Sequence, residues 1–243
     1  MTTDKVFDTY HPKGYECGPD RRMSIRTLMN ILQDVAETGA SAIGCGAEYC
    51  YENQLAWFLM NYDIRISSLP LINSSITAYT WPSDRQMLRA IRDFSIRDDS
   101  GRELIAATSQ WVLVNRETHK LLDLESHLTS YPLLRERALD SKFPKLPPLK
   151  EAQHSVRFKV RYDDIDYNGH ANNCLYPLWA TESIDNDFRM THTPTHIEIS
   201  FLKESRYGET IEARSSKTDG VSLHSIISLE DMRELARVRI EWT

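Results

Sequence analysis

Between residues 24 and 46 the apolar positions keep helical spacing. Ile25, Leu28, Met29, Leu32, Val35, Ala36, Ala40 and Ile43 recur at i, i+3, i+4 and i+7, with Arg26, Asn30, Asp34 and Glu37 between them. Ser24 stands before the run as an N-cap, and Gly44 and Gly46 stop it. The period then changes to alternation. Ala56 to Leu69, Ser74 to Trp81, Gln86 to Arg97 and Leu104 to Asn115 read as strands, several of them apolar on one face and charged on the other. Turn residues at Ser68-Leu69-Pro70, Pro82-Ser83-Asp84 and Asp98-Asp99-Ser100-Gly101 separate them, which predicts antiparallel hairpins. A long apolar helix stripe laid on one side of a curled antiparallel sheet is the economical packing. Residues 5 to 17 add a strand with a turn at Pro12-Lys13-Gly14.

A short apolar helix is predicted around Tyr131 to Leu139, and Pro144-Lys145-Leu146-Pro147-Pro148 then marks a stiff connector. Beyond it the order of elements repeats. A strand (Ser155 to Tyr162) leads to a helix (Asn172 to about Phe188) and four strands: His196 to Lys203, Glu209 to Ser216, Val221 to Leu229 and Glu234 to Trp242. The repeat is one of architecture, with little identity. Asp20-x-x-x-Ser24 precedes the first helix where Asp166-x-x-x-His170 precedes the second. The predicted organisation is α+β in two tandem domains, 1–140 and 154–243, joined by a linker at 141–153. Only the second copy carries reactive groups at its helix mouth, so the second half is expected to do chemistry and the first to bind.

At 243 residues the chain is long enough for a good core in either one large or two ordinary domains. No apolar run approaches the roughly 20 residues of a membrane span. The start, Met1-Thr2-Thr3-Asp4-Lys5, has neither signal nor transit character, so a cytoplasmic, prokaryotic protein is expected. Cys17, Cys45, Cys50 and Cys174 lack zinc-type spacing and read as free thiols. A net charge of −6 argues against nucleic acid as the partner while leaving room for a local basic patch.

Chemistry-bearing groups are densest in Asp163-Asp164-Ile165-Asp166-Tyr167-Asn168-Gly169-His170-Ala171-Asn172-Asn173. In an extended segment Asp166, Asn168 and His170 would leave one face together. Asn172 or Asn173 would cap the following helix, whose free amides and positive dipole end suit a carbonyl oxygen that becomes negative. Asp, Asn and Gly are equally ordinary turn and cap residues, and the stretch also reads as a loop tip. His192 and His196 are separated by Thr193-Pro194-Thr195, which breaks a helix, and no metal or other cofactor is expected.

The two-copy order and several segments resemble the acyl-acyl-carrier-protein thioesterases of plants and bacteria, which are double hot-dog proteins. The resemblance rests on Tyr15-Glu16-Cys17-Gly18-Pro19-Asp20-Arg21, on Ser24-Ile25-Arg26-Thr27-Leu28-Met29-Asn30-Ile31-Leu32-Gln33-Asp34 and on Trp111-Val112-Leu113-Val114-Asn115. In the second half it rests on Asp164 to Asn173. It implies two tandem hot-dog domains and hydrolysis of acyl-carrier thioesters, with the acidic acyl carrier protein as partner. The family's Asp-x-Asn-x-His falls on Asp166, Asn168 and His170. Its downstream Glu, placed in a strand, falls on Glu204, and Ser205 stands where family members have Cys.

Under that resemblance Glu204 and His170 orient and deprotonate a water, and Asn168 with an amide near His170 to Asn172 holds the thioester oxygen. Asp166 orients Asn168 or its neighbours. Direct attack by a carboxylate, giving an anhydride, is the other route. An acyl slot between the first helix and its sheet would be lined by Met29, Leu32, Trp57, Met60 and Trp111, residues that equally suit plain core. Arg21, Arg22 and Arg26 are the carrier-docking candidates, with Arg85, Arg89, Lys203 and Arg206 behind them. An acyl-coenzyme A thioesterase, a non-catalytic acyl-binding hot-dog protein and a hot-dog dehydratase are the competing readings. A homodimer is the default assembly.

Overall fold

The chain forms two compact units, Met1–Phe143 and Pro144–Thr243, and the computed structural model describes residues 4–128 and 131–243. The division falls in the proline-rich stretch. Proline fixes φ and removes a backbone donor, and residues 141–153 hold no helix or strand.

The first unit runs β1 (Val6–Tyr10), α1 (Ile25–Ala42), α2 (Ala47–Glu52), β2 (Leu55–Ile66), β3 (Ile76–Gln86), β4 (Arg89–Asp98), β5 (Glu103–Asn115) and α3 (Leu124–His127). Its sheet has the order β1-β3-β4-β5-β2, and each of these neighbours is antiparallel. Ser24 Oγ accepts from the Thr27 amide at 3.2 Å and starts α1, and Gly44 at φ 75° follows its end. The stripe Leu28, Met29, Leu32, Val35 and Ala36 is buried where α1 packs on β1 and β3.

Two expectations in this unit are corrected. The turn at Pro82-Ser83-Asp84 is a bulge inside β3, and the chain reverses after Gln86, where Met87 takes φ 30°. A strand tolerates proline at a bulge, where the missing donor breaks no regular ladder bond. The predicted helix over Tyr131 to Leu139 is irregular. Its backbone is bound by the sheet instead: the Leu134 amide donates to Pro82 O (2.9 Å), Glu136 O accepts from Trp81 Nε1 (2.7 Å), and the Ala138 amide donates to Asp93 Oδ2 (3.2 Å).

The second unit runs β6 (His154–Lys159), α4 (Leu175–Glu182), α5 (Asn186–Thr191), β7 (Pro194–Phe201), β8 (Thr210–Thr218), β9 (Val221–Ser228) and β10 (Glu234–Trp242). The sheet order is β7-β10-β9-β8-β6, again antiparallel. The one long helix predicted from Asn172 is two short ones, because Asp185 Oδ1 takes the Phe188 amide (3.1 Å) and opens a new helix. Helix α4 is nearly all buried and lies on β8, β9 and β10.

Candidate active site

The polar run before α4 is a closed loop, not an extended strand. Tyr162–Asp164 forms one 3-10 turn, Ile165 bridges Ala171, and the Asp166 amide donates to His170 O at 2.8 Å. Gly169 makes the reversal possible at φ 83°, a backbone state that costs a side-chain-bearing residue energy. Below the loop, Arg161 grips the buried Asp164 with both Nε (3.1 Å) and Nη2 (2.7 Å).

The carboxylate of Asp166 builds the loop. Its Oδ1 accepts from the Asn168 amide at 2.8 Å and the His170 amide at 3.3 Å, a side-chain turn closed on its own backbone. Asp166, Asn168 and His170 therefore share a turn, and not the single face of a strand.

Glu204 also lies off the predicted strand. β7 ends at Phe201, and Glu204 sits in the connection to β8. Its Oε2 is 2.9 Å from His170 Nε2, with the two side chains 37 % and 25 % exposed. A carboxylate there accepts from an Nε2–H, and the imidazole tautomer that makes this bond carries its lone pair on Nδ1.

The backbone donors expected at the helix mouth are committed elsewhere. The His170 amide goes to Asp166, the Ala171 amide to Ser205 O (2.8 Å) and the Asn172 amide to Asp164 O (2.9 Å). The helix begins later than predicted, at Leu175 with Cys174 as N-cap, and Asn172 Oδ1 accepts from the Cys174 amide (3.0 Å). From His170 to Cys174, among the described residues, Asn173 is the one whose amide shows no protein acceptor. Ser205 is fully buried, and its hydroxyl donates to Glu209 Oε2 (3.0 Å), an arrangement of a structural hydroxyl.

The family model for the acyl-ACP thioesterase N-terminal domain matches residues 4–131, and that for the C-terminal domain matches residues 148–243. The chain belongs to the acyl-ACP thioesterase family. Among curated relatives of the family, a chloroplastic acyl-acyl-carrier-protein hydrolase of Cuphea viscosissima is 28 % identical over 253 residues, covering 95 % of this chain and 60 % of its own length. The palmitoyl-acyl carrier protein thioesterase of Cuphea hookeriana is 27 % identical over 252 residues with the same coverage. The chain thus spans about 60 % of the length of these curated relatives. The crystal structure of an acyl-ACP thioesterase from Bacteroides thetaiotaomicron superposes with a TM-score of 0.89 at 19 % identity, covering 98 % of both chains. The 12:0-ACP thioesterase from Umbellularia californica also gives 0.89, at 22 % identity over 98 % of this chain and 97 % of its own. At these identities the superpositions establish the hot-dog fold.

The His170–Glu204 pair is in the second unit, and the residues predicted to line an acyl slot are in the first. Met29 and Leu32 are buried on the sheet side of α1. Trp57 and Trp111 pack on a cluster that includes Ala40, Cys45, Ala90 and Leu113, with indole donors on Cys45 O (2.9 Å) and Ser109 Oγ (2.7 Å). Met60 is 37 % exposed at a bulge of β2, outside that buried surface, because the extra residue turns its side chain out of the alternation. The sequence reading missed Arg92, which is buried in the same face beneath Gly39 and donates to Thr80 Oγ1 at 3.3 Å. Alternation in β4 puts it on the face of Ala90 and Phe94, where a charged residue breaks the apolar pattern.

Of the arginines, Arg21 and Arg26 are exposed, whereas the guanidinium of Arg22 is half-buried and donates to Leu69 O at 2.9 Å. Arg22 is a structural tie. The thiols form no disulfide among the described residues, and burial pushes Cys45 up to about 11 and Cys50 up to about 12, away from thiolate chemistry. Cys174 is buried at the start of α4. His192 stacks on Phe188 with ring centroids 3.8 Å apart, while His196 Nδ1 is 3.4 Å from Glu241 Oε1. The two histidines serve separate contacts.

Proposed function

We propose that the chain hydrolyses the thioester of an acyl-acyl-carrier protein and releases a free fatty acid, with residues 154–243 carrying the chemistry and 1–140 gripping the acyl chain. The observation that carries this reading is the His170–Glu204 pair at 2.9 Å, two residues along the chain from the side-chain amide of Asn168, in a member of this family.

Imidazole Nδ1 takes a proton from a water whose oxygen bonds to the thioester carbon, and the carbonyl electron pair moves onto the oxygen. Asn168 Nδ2 donates to that oxyanion, and the unclaimed Asn173 amide is the available backbone donor. Collapse of the tetrahedral species breaks the C–S bond, and the imidazolium returns its proton to the departing thiolate. Glu204 stabilises the imidazolium through a charge-assisted bond at Nε2, as a buried Asp does in Ser-His-Asp hydrolases.

Hydrolysis in heavy-oxygen water under single turnover tests the route. Label found first in the enzyme's carboxylate would replace water attack by the anhydride. Side-by-side turnover of matched acyl-carrier and acyl-coenzyme A substrates tests the substrate class, and faster use of the coenzyme A thioester would assign the chain to that reading. Arg21 and Arg26 are free to meet an acidic carrier. Charge reversal there should raise KM for the carrier substrate and leave a small thioester unaffected; equal effects on both would remove the docking role.

In this reading the enzyme is a cytoplasmic homodimer. Support for pairing is the outer strand β6, which is mostly exposed along its length. Light scattering on the purified protein decides the assembly. Among the described residues no helix is long and apolar enough to cross a membrane.

A further inference from the structure

Glu204 has no strand to hold it, yet its carboxylate must stay on His170, and both polar groups of the peptide that follows it are bonded to side chains. Arg233 Nη2 donates to Glu204 O at 3.2 Å. One atom further along, the Ser205 amide donates to Tyr176 Oη at 3.1 Å, and Ser205 O accepts from the Ala171 amide at 2.8 Å. The Glu204–Ser205 peptide is thus held on one side from the loop preceding β10 and on another from α4, and the next peptide is held at Ser205 O from the residue after His170.

The arginine is itself fixed. Its Nη2 reaches Glu209 Oε1 at 2.6 Å and its Nη1 reaches Asp231 Oδ2 at 2.8 Å. Glu209 is largely buried, and its other oxygen accepts from Ser205 Oγ (3.0 Å) and Ser228 Oγ (3.2 Å). Tyr176 is also rigid: it is buried, with its ring packed against Trp179 and edge-on to Phe201. A charged donor of fixed direction and a buried hydroxyl therefore determine where the backbone of Glu204 sits, and through it where the carboxylate points.

We propose that Arg233 and Tyr176 are positioning residues for Glu204, acting through the Glu204–Ser205 peptide and touching neither substrate nor the reacting atoms. This rests on the reading of His170 and Glu204 as the catalytic pair. It assigns Ser205, in the place of the family's Cys, to the same support.

The experiment measures kcat and KM on an acyl-carrier thioester for the wild type, Tyr176→Phe, the double variant Arg233→Met with Glu209→Gln, and all three substitutions together. Glu209→Gln accompanies Arg233→Met so that no unpaired buried carboxylate is left to unfold the unit. Tyr176→Phe keeps the ring and its packing, and thermal unfolding verifies that each variant is folded. Misplacement of a catalytic group by a fraction of an ångström to an ångström costs about 10- to 100-fold in rate, so kcat should fall by about that factor in each variant with KM within about twofold. Because both act on one peptide, the combined variant should lose little more than the worse of the other two. Restoring Arg233 in the combined variant should bring kcat back no further than the level of Tyr176→Phe. Unchanged kcat in a folded variant, a loss carried by KM, or losses that multiply would each overturn the proposal while leaving wild-type hydrolysis standing. Absence of wild-type hydrolysis on any acyl-carrier thioester would instead remove the catalytic reading, and this one with it.

Discussion

His224 is expected to make the second unit acid-sensitive, and the size of the effect follows from its surroundings. The imidazole is buried on β9 between two serines, Nδ1 at 3.2 Å from Ser183 Oγ and Nε2 at 2.8 Å from Ser222 Oγ. The bonds have one consistent direction. Trp242 Nε1 donates to Ser222 Oγ (2.8 Å), so the Ser222 proton goes to His224 Nε2. Ser183 Oγ donates to Ala180 O (2.7 Å), so it accepts from His224 Nδ1. A proton added at Nε2 would force the Ser222 hydroxyl to change from donor to acceptor, and burial lowers the group to about 3. An unfolded histidine titrates near 6.5, so between pH 6.5 and 3 the unfolded chain binds more protons and stability falls as the pH falls. The slope tends to about 1.4 kcal/mol per pH unit, and by pH 5 the loss relative to pH 8 is about 2 kcal/mol. That figure depends only on the unfolded value as long as the folded one lies well below 5. Urea unfolding from pH 8 to pH 5 should show the loss, and His224→Gln should show about 2 kcal/mol less of it. Identical pH dependence in the two proteins, or an imidazole of His224 that titrates between pH 6 and 7 in the folded state by NMR, would refute the reasoning.

Substituting His170 or Glu204 by Ala should each lower kcat by about 10²- to 10⁴-fold with the fold retained, measured by steady-state turnover and circular dichroism. Asp166→Ala should cost about 1–3 kcal/mol of stability by urea unfolding and slow turnover as the loop loosens, while Asp166→Asn, which keeps the Oδ1 acceptor for both amides, should retain most of each. Equal damage from both substitutions would give the charge of Asp166 a chemical role. In the first unit a Cβ at Gly39 would lie 2.5 Å from Arg92 Nη1 and 2.7 Å from Thr80 Cγ2, so Gly39→Ala should destabilise by about 1–3 kcal/mol by thermal unfolding, despite the better helix propensity of alanine.

Much of the architecture was legible because it is written in local periodicity. The apolar stripe from Ile25 and its Ser24 cap gave α1 nearly to the residue, and Glu234 to Trp242 gave β10. Errors arose where a distant partner outbid the local preference. Pro82 reads as a turn but is absorbed as a bulge between β4 and the segment holding Leu134, and Tyr131 to Leu139 reads as a helix whose backbone bonds are taken by the sheet. The second helix reads as one run because its apolar positions continue past the cap at Asp185.

What the sequence by itself determined was the inventory of the site and its order along the chain: Asp166, Asn168 and His170 around a glycine, then Glu204 far downstream. The fold alone decided their arrangement. It closed the loop on Asp166, spent the amides of His170, Ala171 and Asn172 on protein acceptors, and put Glu204 against His170. It also brought in Tyr176 and Arg233, which each stand 29 residues from the position they hold and carry no local signature. Periodicity records which face of an element is buried, because that depends on neighbours along the chain. The direction of a hydrogen bond across a sheet depends on register and on partners far away in sequence, and only the assembled backbone sets those.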